Sequence, residues 1–421
     1  MNKNIVCGID FGTTNSAIAL FDGEEVFSVG TSLEKGKTMP SILFFSDSGR
    51  VSVGRQALQM YLSTRGRGRL IQSFKNFLSD PTFTSTLIGS KTYRLEDFVS
   101  LVIKDLKRDA EDLTGYALDT AIVGRPARFS DDDRKDSLAE SRLIEAVKKS
   151  GFEKVSIQIE PIAAAFDYEH NLDREETVLV ADFGGGTSDF TIMKLSKERR
   201  KKKDRKDDII GTNGVSIAGD VFNGVIMWEK LAKYFGRGAE YETISGKMMD
   251  VPTALLWHLR EWHKLPFLDN PRDKALISRL LMTCTDKEAI KRFKQVLDHH
   301  LGFNLFQSVD KAKCKVSKEV ENVEIVFSSD YFKLRELLLR SELGMMLDRE
   351  LSKLNDTVSE LLDFVNLTEN NIDTVFLTGG SSHLIQIQNM FEQRFGEEKI
   401  KRLGSGFMNV AQGLALSSVY L

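Results

Sequence analysis

Cysteine is scarce in this sequence: three occur among 421 residues, at Cys7, Cys284 and Cys314. Thiols so widely spaced and odd in number suggest neither a disulfide framework nor a zinc site. An excess of charge of one sign is missing too. The 58 basic and 61 acidic residues leave a formal net charge of −3, so no global attraction to nucleic acid or to an anionic membrane is expected. No uncharged run approaches the roughly 20 residues needed to span a bilayer. The opening MNKNIVCGID meets a charge at Asp10 after five apolar or small residues, too soon for a signal peptide. A reducing, cytoplasmic setting is the expectation. No low-complexity linker interrupts the chain, so its halves are expected to pack closely. Three nucleotide signatures are also absent: the G-x-x-x-x-G-K-[ST] phosphate loop, G-x-G-x-x-G opening a helix, and the H-R-D loop of protein kinases.

What is present is ordinary for a globular chain, 41% hydrophobic and 28% charged, and long enough for about two or three domains. One phrase stands out because it is written nearly twice, as DFGTTNS at 10–16 and DFGGGTS at 182–188. Each copy lies between two apolar, partly β-branched runs, IVCGI before and AIALF after the first, TVLVA before and FTIMKL after the second. Both therefore read as strand–loop–strand. Between them, 95–113 carries apolar residues at helical spacing, and a second helix is expected from an N-cap at Ser130 to Lys149, with Gly151 as its stop. AIVGRP and VSIQIEP read as strands ending at a proline. The charge run KERRKKKDRKDD at 197–208 reads as a solvated hairpin tip, its basic part 199–206 a candidate docking element. Residues 220–320 read mostly as helices and 331–364 as a long charged amphipathic helix or pair. The chain closes with a strand at 371–377, the turn TGGSS, a helix, and an apolar helix at 408–421. Alternating strands and helices imply α/β layers.

The repeated loops suit a phosphate chain. Glycine at 12, 184, 185 and 186 lets successive backbone N–H groups turn toward an anion without Cβ obstruction. Thr13, Thr14, Asn15, Thr187 and Ser188 add side-chain donors. Asp10 and Asp182 stand where the strands end, with Asp189 just beyond the second loop. Carboxylates beside phosphates repel them unless a cation lies between, and magnesium is the natural bridge. Two matched loops fit one nucleotide held from two sides. Gly379 and Gly380, followed by Ser381 at a helix start, form a third place where backbone can approach a ligand.

These residues resemble the nucleotide-binding region of the seventy-kilodalton heat-shock protein chaperones, within the actin and sugar-kinase superfamily. The resemblance runs in order through GIDFGTTNS (8–16), VGRPARFSDDDR (123–134), IEPIAAAFDY (159–168), DFGGGTSDF (182–190), TNGVSIAGDVFN (212–223), VDKAKCKVS (309–317) and TVFLTGGSSHLIQIQ (374–388). It implies an α/β, actin-like ATPase fold of two similar lobes around a central nucleotide cleft. The first lobe would span 1–175 with a subdomain inserted at about 38–95, the second 176–421 with one at about 220–320. It also implies ATP and ADP as ligands with Mg2+. Asp10, Asp182 and Asp189 would organise the metal and its waters. Lys75 would lie near the γ-phosphate and Glu160 near magnesium and the attacking water, which Glu160 or Asp182 would orient. Gly12, Thr13, Thr14, Asn15, Gly184, Gly185, Gly186 and Thr187 would cradle the phosphates. Gly219, Asp310, Lys313, Ser317, Gly379, Gly380, Ser381 and His383 would hold the nucleoside.

The sequence departs from the family where arginines would sandwich adenine, which are here Cys314 and His383. GFMNVA (406–411) replaces an acidic stretch, and Pro126 and Arg134 match positions linked to interdomain communication. The sequence stops after the last nucleotide-domain helix, so the expectation is a weak ATPase without a peptide clamp, signalling through lobe closure to a separate protein partner such as a co-chaperone. No nucleic-acid or membrane partner is expected. A small-molecule kinase of the same superfamily, or a nucleotide-sensing or filament-forming protein, stands as the alternative.

Overall fold

The computed structural model describes residues 5–29, 38–64, 67–130, 132–170, 172–202, 204–318, 322–402 and 407–419. Asp131 in the expected acidic first turn, Lys203 in the basic run, Gly406, and Tyr420 and Leu421 at the end of the last helix lie outside them. The chain divides into two compact units, one of Met1–Ser216, Leu354–Ser382 and Met390–Leu421, the other of Ile217–Lys353 and His383–Asn389.

The first unit is built on two sheets of the same design. Three strands, β1 (Val6–Phe11), β2 (Asn15–Phe21) and β3 (Val26–Ser28), form an antiparallel meander. Helix α1 (Leu95–Thr114) leads to β4 (Thr120–Arg125), and α2 (Asp133–Lys149) leads to β5 (Lys154–Ile159). Both strands join parallel on the other side of β1, giving the order β3-β2-β1-β4-β5. After the short helix α3 (Glu160–Ala164) the pattern begins again. Strands β6 (Glu176–Phe183), β7 (Ser188–Leu195) and β8 (Ile209–Val215) form the second meander.

The second unit opens with α4 (Gly219–Ile226) and includes α5 (Gly302–Lys318) and a hairpin, β9 (Val323–Ser328) and β10 (Lys333–Leu338). Helix α6 (Arg340–Phe364) precedes β11 (Thr374–Thr378), α7 (Ile385–Phe395), β12 (Ile400–Arg402) and α8 (Phe407–Leu416). Strands β11 and β12 extend the second sheet in parallel, so its order β8-β7-β6-β11-β12 repeats that of the first. The repeated phrase is the outward mark of a repeated sheet.

Burial explains why each sheet carries helices. On one face of the first, Cys7, Ile9 and Phe11 alternate along β1 into a core shared with Phe98, Val102 and Leu106 of α1 and Leu143 and Val147 of α2. On the other, Ala17 and Ala19 meet Ala411 and Ala415 of α8. Small residues are needed there: a Cβ on Gly8 would stand 2.1 Å from the Ala411 carbonyl oxygen. In the second sheet Phe183 meets Phe190 and Phe391 edge-on, while Phe190 and Phe391 stack, with ring centroids 5.8 to 6.3 Å apart, favourable aromatic arrangements. Among the described residues no helix is long and apolar enough to cross a membrane.

Three local expectations change. The cap of α2 is Asp132, not Ser130: Asp132 Oδ1 accepts from the backbone N–H of Arg134 (2.9 Å) and Lys135 (3.2 Å). Asp132→Ala should therefore lower the stability of the first unit by about 1 kcal/mol and Ser130→Ala by much less, which thermal or urea melting of the two variants would show. Residues 333–338 are a strand rather than helix, because KLRELL pairs with VEIVFS and both alternate buried and exposed positions.

The charge run is not a wholly solvated tip. Arg205 and Asp208 are buried with Glu169. Arg205 reaches Glu169 through two bonds of 2.9 and 2.8 Å and also pairs with Asp208. Arg199 donates to both Asp208 and Glu175. Two buried acids and two arginines thus neutralise one another, which is what burial of charge requires. Of the basic run, Lys201, Lys202 and Lys206 are exposed, so the candidate docking element keeps fewer charges than its composition implies.

Candidate functional site

The two repeated loops lie against each other within the first unit. A Cβ on Gly185 would stand 2.0 Å from Thr14 Oγ1, and one on Gly186 3.5 Å from the Thr13 methyl. Glycine at 185 is what allows the loops to meet. Each loop is closed tightly: Gly184 donates its N–H to the Thr187 carbonyl (3.0 Å), and Ser41 fastens the first loop by donating from Oγ to the Gly12 carbonyl (2.7 Å) and from its N–H to the Thr14 carbonyl (2.8 Å). Asn15, the first residue of β2, pairs with Pro40. Thr13 Oγ1 donates to Asn76 Oδ1 at 3.2 Å.

The strands set the carboxylates. Asp182 and Asp189 are direct partners across β6 and β7, whereas Asp10 is partnered by Ala17 across β1 and β2. Lys75 comes from a 3-10 turn, Phe74–Phe77, and Glu160 opens α3. These two form an ion pair of 3.1 Å with both side chains only about an eighth exposed (13% and 12%). Gly124 gives Glu160 its room, since a Cβ there would stand 2.7 Å from Glu160 Cγ. Gly379, at φ +81°, brings the turn after β11 so close that a Cβ would stand 2.3 Å from the Phe183 carbonyl and 2.5 Å from Asp182 Oδ1. Ser381 Oγ then donates to the Gly184 carbonyl at 3.0 Å, so the third glycine turn adjoins the second loop and Gly380 opens its 3-10 turn.

One lysine stands among four acids, and the acids respond. Asp10 is pushed well above the ordinary carboxylate range by burial and by Glu160 and Asp182, with Lys75 pulling the other way. Asp182 rises to about 7, through burial first, then repulsion from Asp189 and Glu160. Burial also raises Asp189, although the Thr187 hydroxyl donates to it at 2.9 Å. For Lys75, burial disfavours the charge, but Glu160, Asp10 and Asp189 outweigh it and raise its pKa. Each of these side chains keeps partial contact with solvent. Among the described residues no three acidic, histidine or cysteine side chains converge closely enough to hold a metal by themselves.

The donor set suits magnesium bound through phosphate oxygens and water, the ion's usual habit. Two buried hydroxyls, Thr14 Oγ1 and Thr378 Oγ1, have no hydrogen-bond partner, and Thr378 is the register partner of Asp182. Unpaired buried polar atoms are uncommon, and here both border the loops. Sequence reasoning missed Thr378, Ser41 and Asn76. Only Thr378 carried a signal: it precedes a glycine turn at the end of a strand, as Asp10 and Asp182 do.

The residues expected around a nucleoside fall in the second unit, apart from Gly379, Gly380 and Ser381. Gly219 opens α4, and α5 carries Asp310, Lys313 and Ser317. Lys313 Nζ donates to the Gly219 carbonyl (3.1 Å) and pairs with Asp310 (3.1 Å), whose other partner is the Asn223 amide (3.0 Å). Burial works against the charge of Asp310, but Lys313 and Asn223 outweigh it and hold its pKa below the usual range. Asp220, which sequence reasoning passed over although it follows Gly219 directly, is pushed up to about 6 by burial. Asn223 Oδ1 is buried without a partner. Ser317 Oγ donates to the Lys313 carbonyl, Cys314 is exposed and in no disulfide, and His383 is exposed.

Comparison of the sequence with known proteins finds relatives. A family model described as Hsp70 protein matches residues 75–214 and 272–419. The chaperone protein DnaK of Thermosipho melanesiensis is 28% identical over 428 residues, covering 100% of this chain and 60% of its own length. That of Thermotoga neapolitana is 27% identical over 431 residues, with 100% and 60% covered. That of Halobacterium salinarum is 26% identical over 409 residues, with 96% and 54% covered. The chain thus spans 54 to 60% of the length of these relatives.

Proposed function

The chain belongs to the Hsp70 family, of actin-like ATPase fold, and from that premise we propose that it binds ATP and ADP together with magnesium and hydrolyses ATP slowly. One observation carries the reading: Asp10, Glu160, Asp182 and Asp189 surround the single ammonium of Lys75, and the first and last two are held above their ordinary pKa. Such a site has too few cations for its own acids. A bound magnesium supplies the missing charge and neutralises the phosphate oxygens. The protein's part is positioning, as phosphoryl transfer largely demands. Backbone N–H groups of the two loops cradle the phosphates, Thr14 gives its unpaired hydroxyl, and Lys75 faces the terminal phosphate. Glu160, turned by its bond to Lys75, orients the attacking water, with Asp182 assisting. The cycle of binding and hydrolysis signals to a separate protein partner. Cys314 and His383 stand where the family has arginines, so no guanidinium is expected to stack on a base there.

Titration calorimetry with ATP, ADP and GTP, with and without magnesium, tests this. Magnesium should tighten ATP binding by about tenfold or more, because it relieves repulsion that otherwise costs at least 1.4 kcal/mol. Phosphate should then be released with no added acceptor, which distinguishes hydrolysis from a small-molecule kinase. No binding, or binding indifferent to magnesium, would remove the proposal.

A further inference from the structure

Lys75 rides on a single 3-10 turn, and a lone turn does not fix a cation by itself. Upstream, Phe74 is buried against Phe11 and Phe98. Ser73 sits at φ +55°, a left-handed conformation that costs a non-glycine residue about 1 kcal/mol or more and persists only where the surroundings impose it. Downstream, residues 78–85 form neither helix nor strand. That segment is instead gathered by one side chain from α2. Arg142 Nη1 donates to the carbonyls of Phe77 (3.3 Å), Leu78 (2.9 Å) and Asp80 (2.9 Å), and Nη2 to that of Phe83 (2.9 Å). Its Nε lies 3.6 Å from the buried carboxylate of Glu96 on α1. The Arg142 side chain is itself only 11% exposed.

We propose that Arg142 is the positioning residue for Lys75: it holds the segment after the turn and so sets where the ammonium stands relative to Glu160. The proposal rests on the reading that Lys75 serves the terminal phosphate. An arginine suits the task because its planar fork offers five fixed donors and never loses its charge. Lysine in its place keeps the charge but can grip only part of the segment.

The experiment compares wild type, Arg142→Lys, Lys75→Ala and the double variant, following phosphate release with magnesium-ATP, ATP affinity, and hydrogen exchange of residues 74–83. Arg142→Lys should slow release about tenfold while the ATP Kd changes less than about threefold, since misplacing a catalytic group by a fraction of an ångström acts mainly on turnover. The amides of 77–83 should exchange about tenfold faster with the sheets unchanged. On the Lys75→Ala background Arg142→Lys should cost nothing further, as two residues acting through one group are not additive. If the losses multiply, or the rate is unchanged while exchange quickens, Arg142 is only a structural clamp. Should Arg142→Lys not fold, Glu96→Gln gives the same pattern at about threefold, because it loosens the fork without removing it. A Lys75→Ala chain as fast as wild type ends the functional reading itself, and the exchange data then decide alone whether Arg142 holds the turn.

Discussion

Replacing Lys75 by alanine should lower magnesium-dependent phosphate release about 10²–10³-fold while ATP still binds. The magnitude is that of removing one preorganised group aimed at developing charge in a site largely shielded from water. Two consequences combine. The cation facing the terminal phosphate is lost, and Glu160 loses the partner that now fixes its direction at 3.1 Å. Binding should suffer less, because backbone N–H groups of the two loops and the metal remain, and neither depends on the lysine. Single-turnover measurement separates the cases. A fall in the hydrolysis step with a nearly constant Kd is the expected result. A loss confined to affinity would mean that Lys75 serves binding alone.

Asp182→Asn should make the ligand-free chain more stable at pH 8 and abolish most of the stabilisation by magnesium-ATP. In the folded chain burial and the neighbouring acids raise Asp182 from an ordinary 3.8 to about 7. A carboxyl whose folded pKa is raised contributes stability that is fully present below about pH 4 and is lost as pH rises through about 7. The whole shift corresponds to a ceiling of about 4 kcal/mol. Coupling to Asp10 and Asp189, and the water that reaches these side chains, reduce the expected gain to about 2 kcal/mol. Asparagine has the shape without the charge, so the variant and wild type should melt alike near pH 4 and diverge steadily towards pH 8. Added magnesium-ATP should raise the wild-type melting temperature and hardly move the variant. A gap that does not widen with pH, or a variant less stable at pH 8, would show that the acids are not mutually repelling.

The loops were legible because glycine, aspartate and alternating β-branched runs mark local structure directly. Each repeated phrase became a tight turn between antiparallel strands, and Gly185 owes its identity to a contact with Thr14. Lys75 and Glu160 carried no local signal. Each alone reads as a solvated charge, and what makes them a pair is a fold that brings positions 75 and 160 within 3.1 Å. The same reason hid Arg205 and Glu169, whose burial depends on mutual neutralisation that composition does not reveal. Ser130 and Asp132 are both capping residues standing close in sequence, and only backbone geometry selects Asp132. Residues 333–338 read as helix because KLRELLLR satisfies a helical spacing as well as an alternating one until its partner strand is known.

The duplicated sheet has a further consequence. A scaffold written twice would offer a bound molecule two equivalent ways round, but the copies differ in charge at one registered pair. Asp182 faces Asp189, whereas Asp10 faces Ala17, and Ala17 is packed beneath the last helix against Ala411 and Ala415. One copy therefore brings two carboxylates and the other brings one beside a sealed methyl. The frame is symmetric and its charge is not, so the two ends of an extended anion would meet different surroundings.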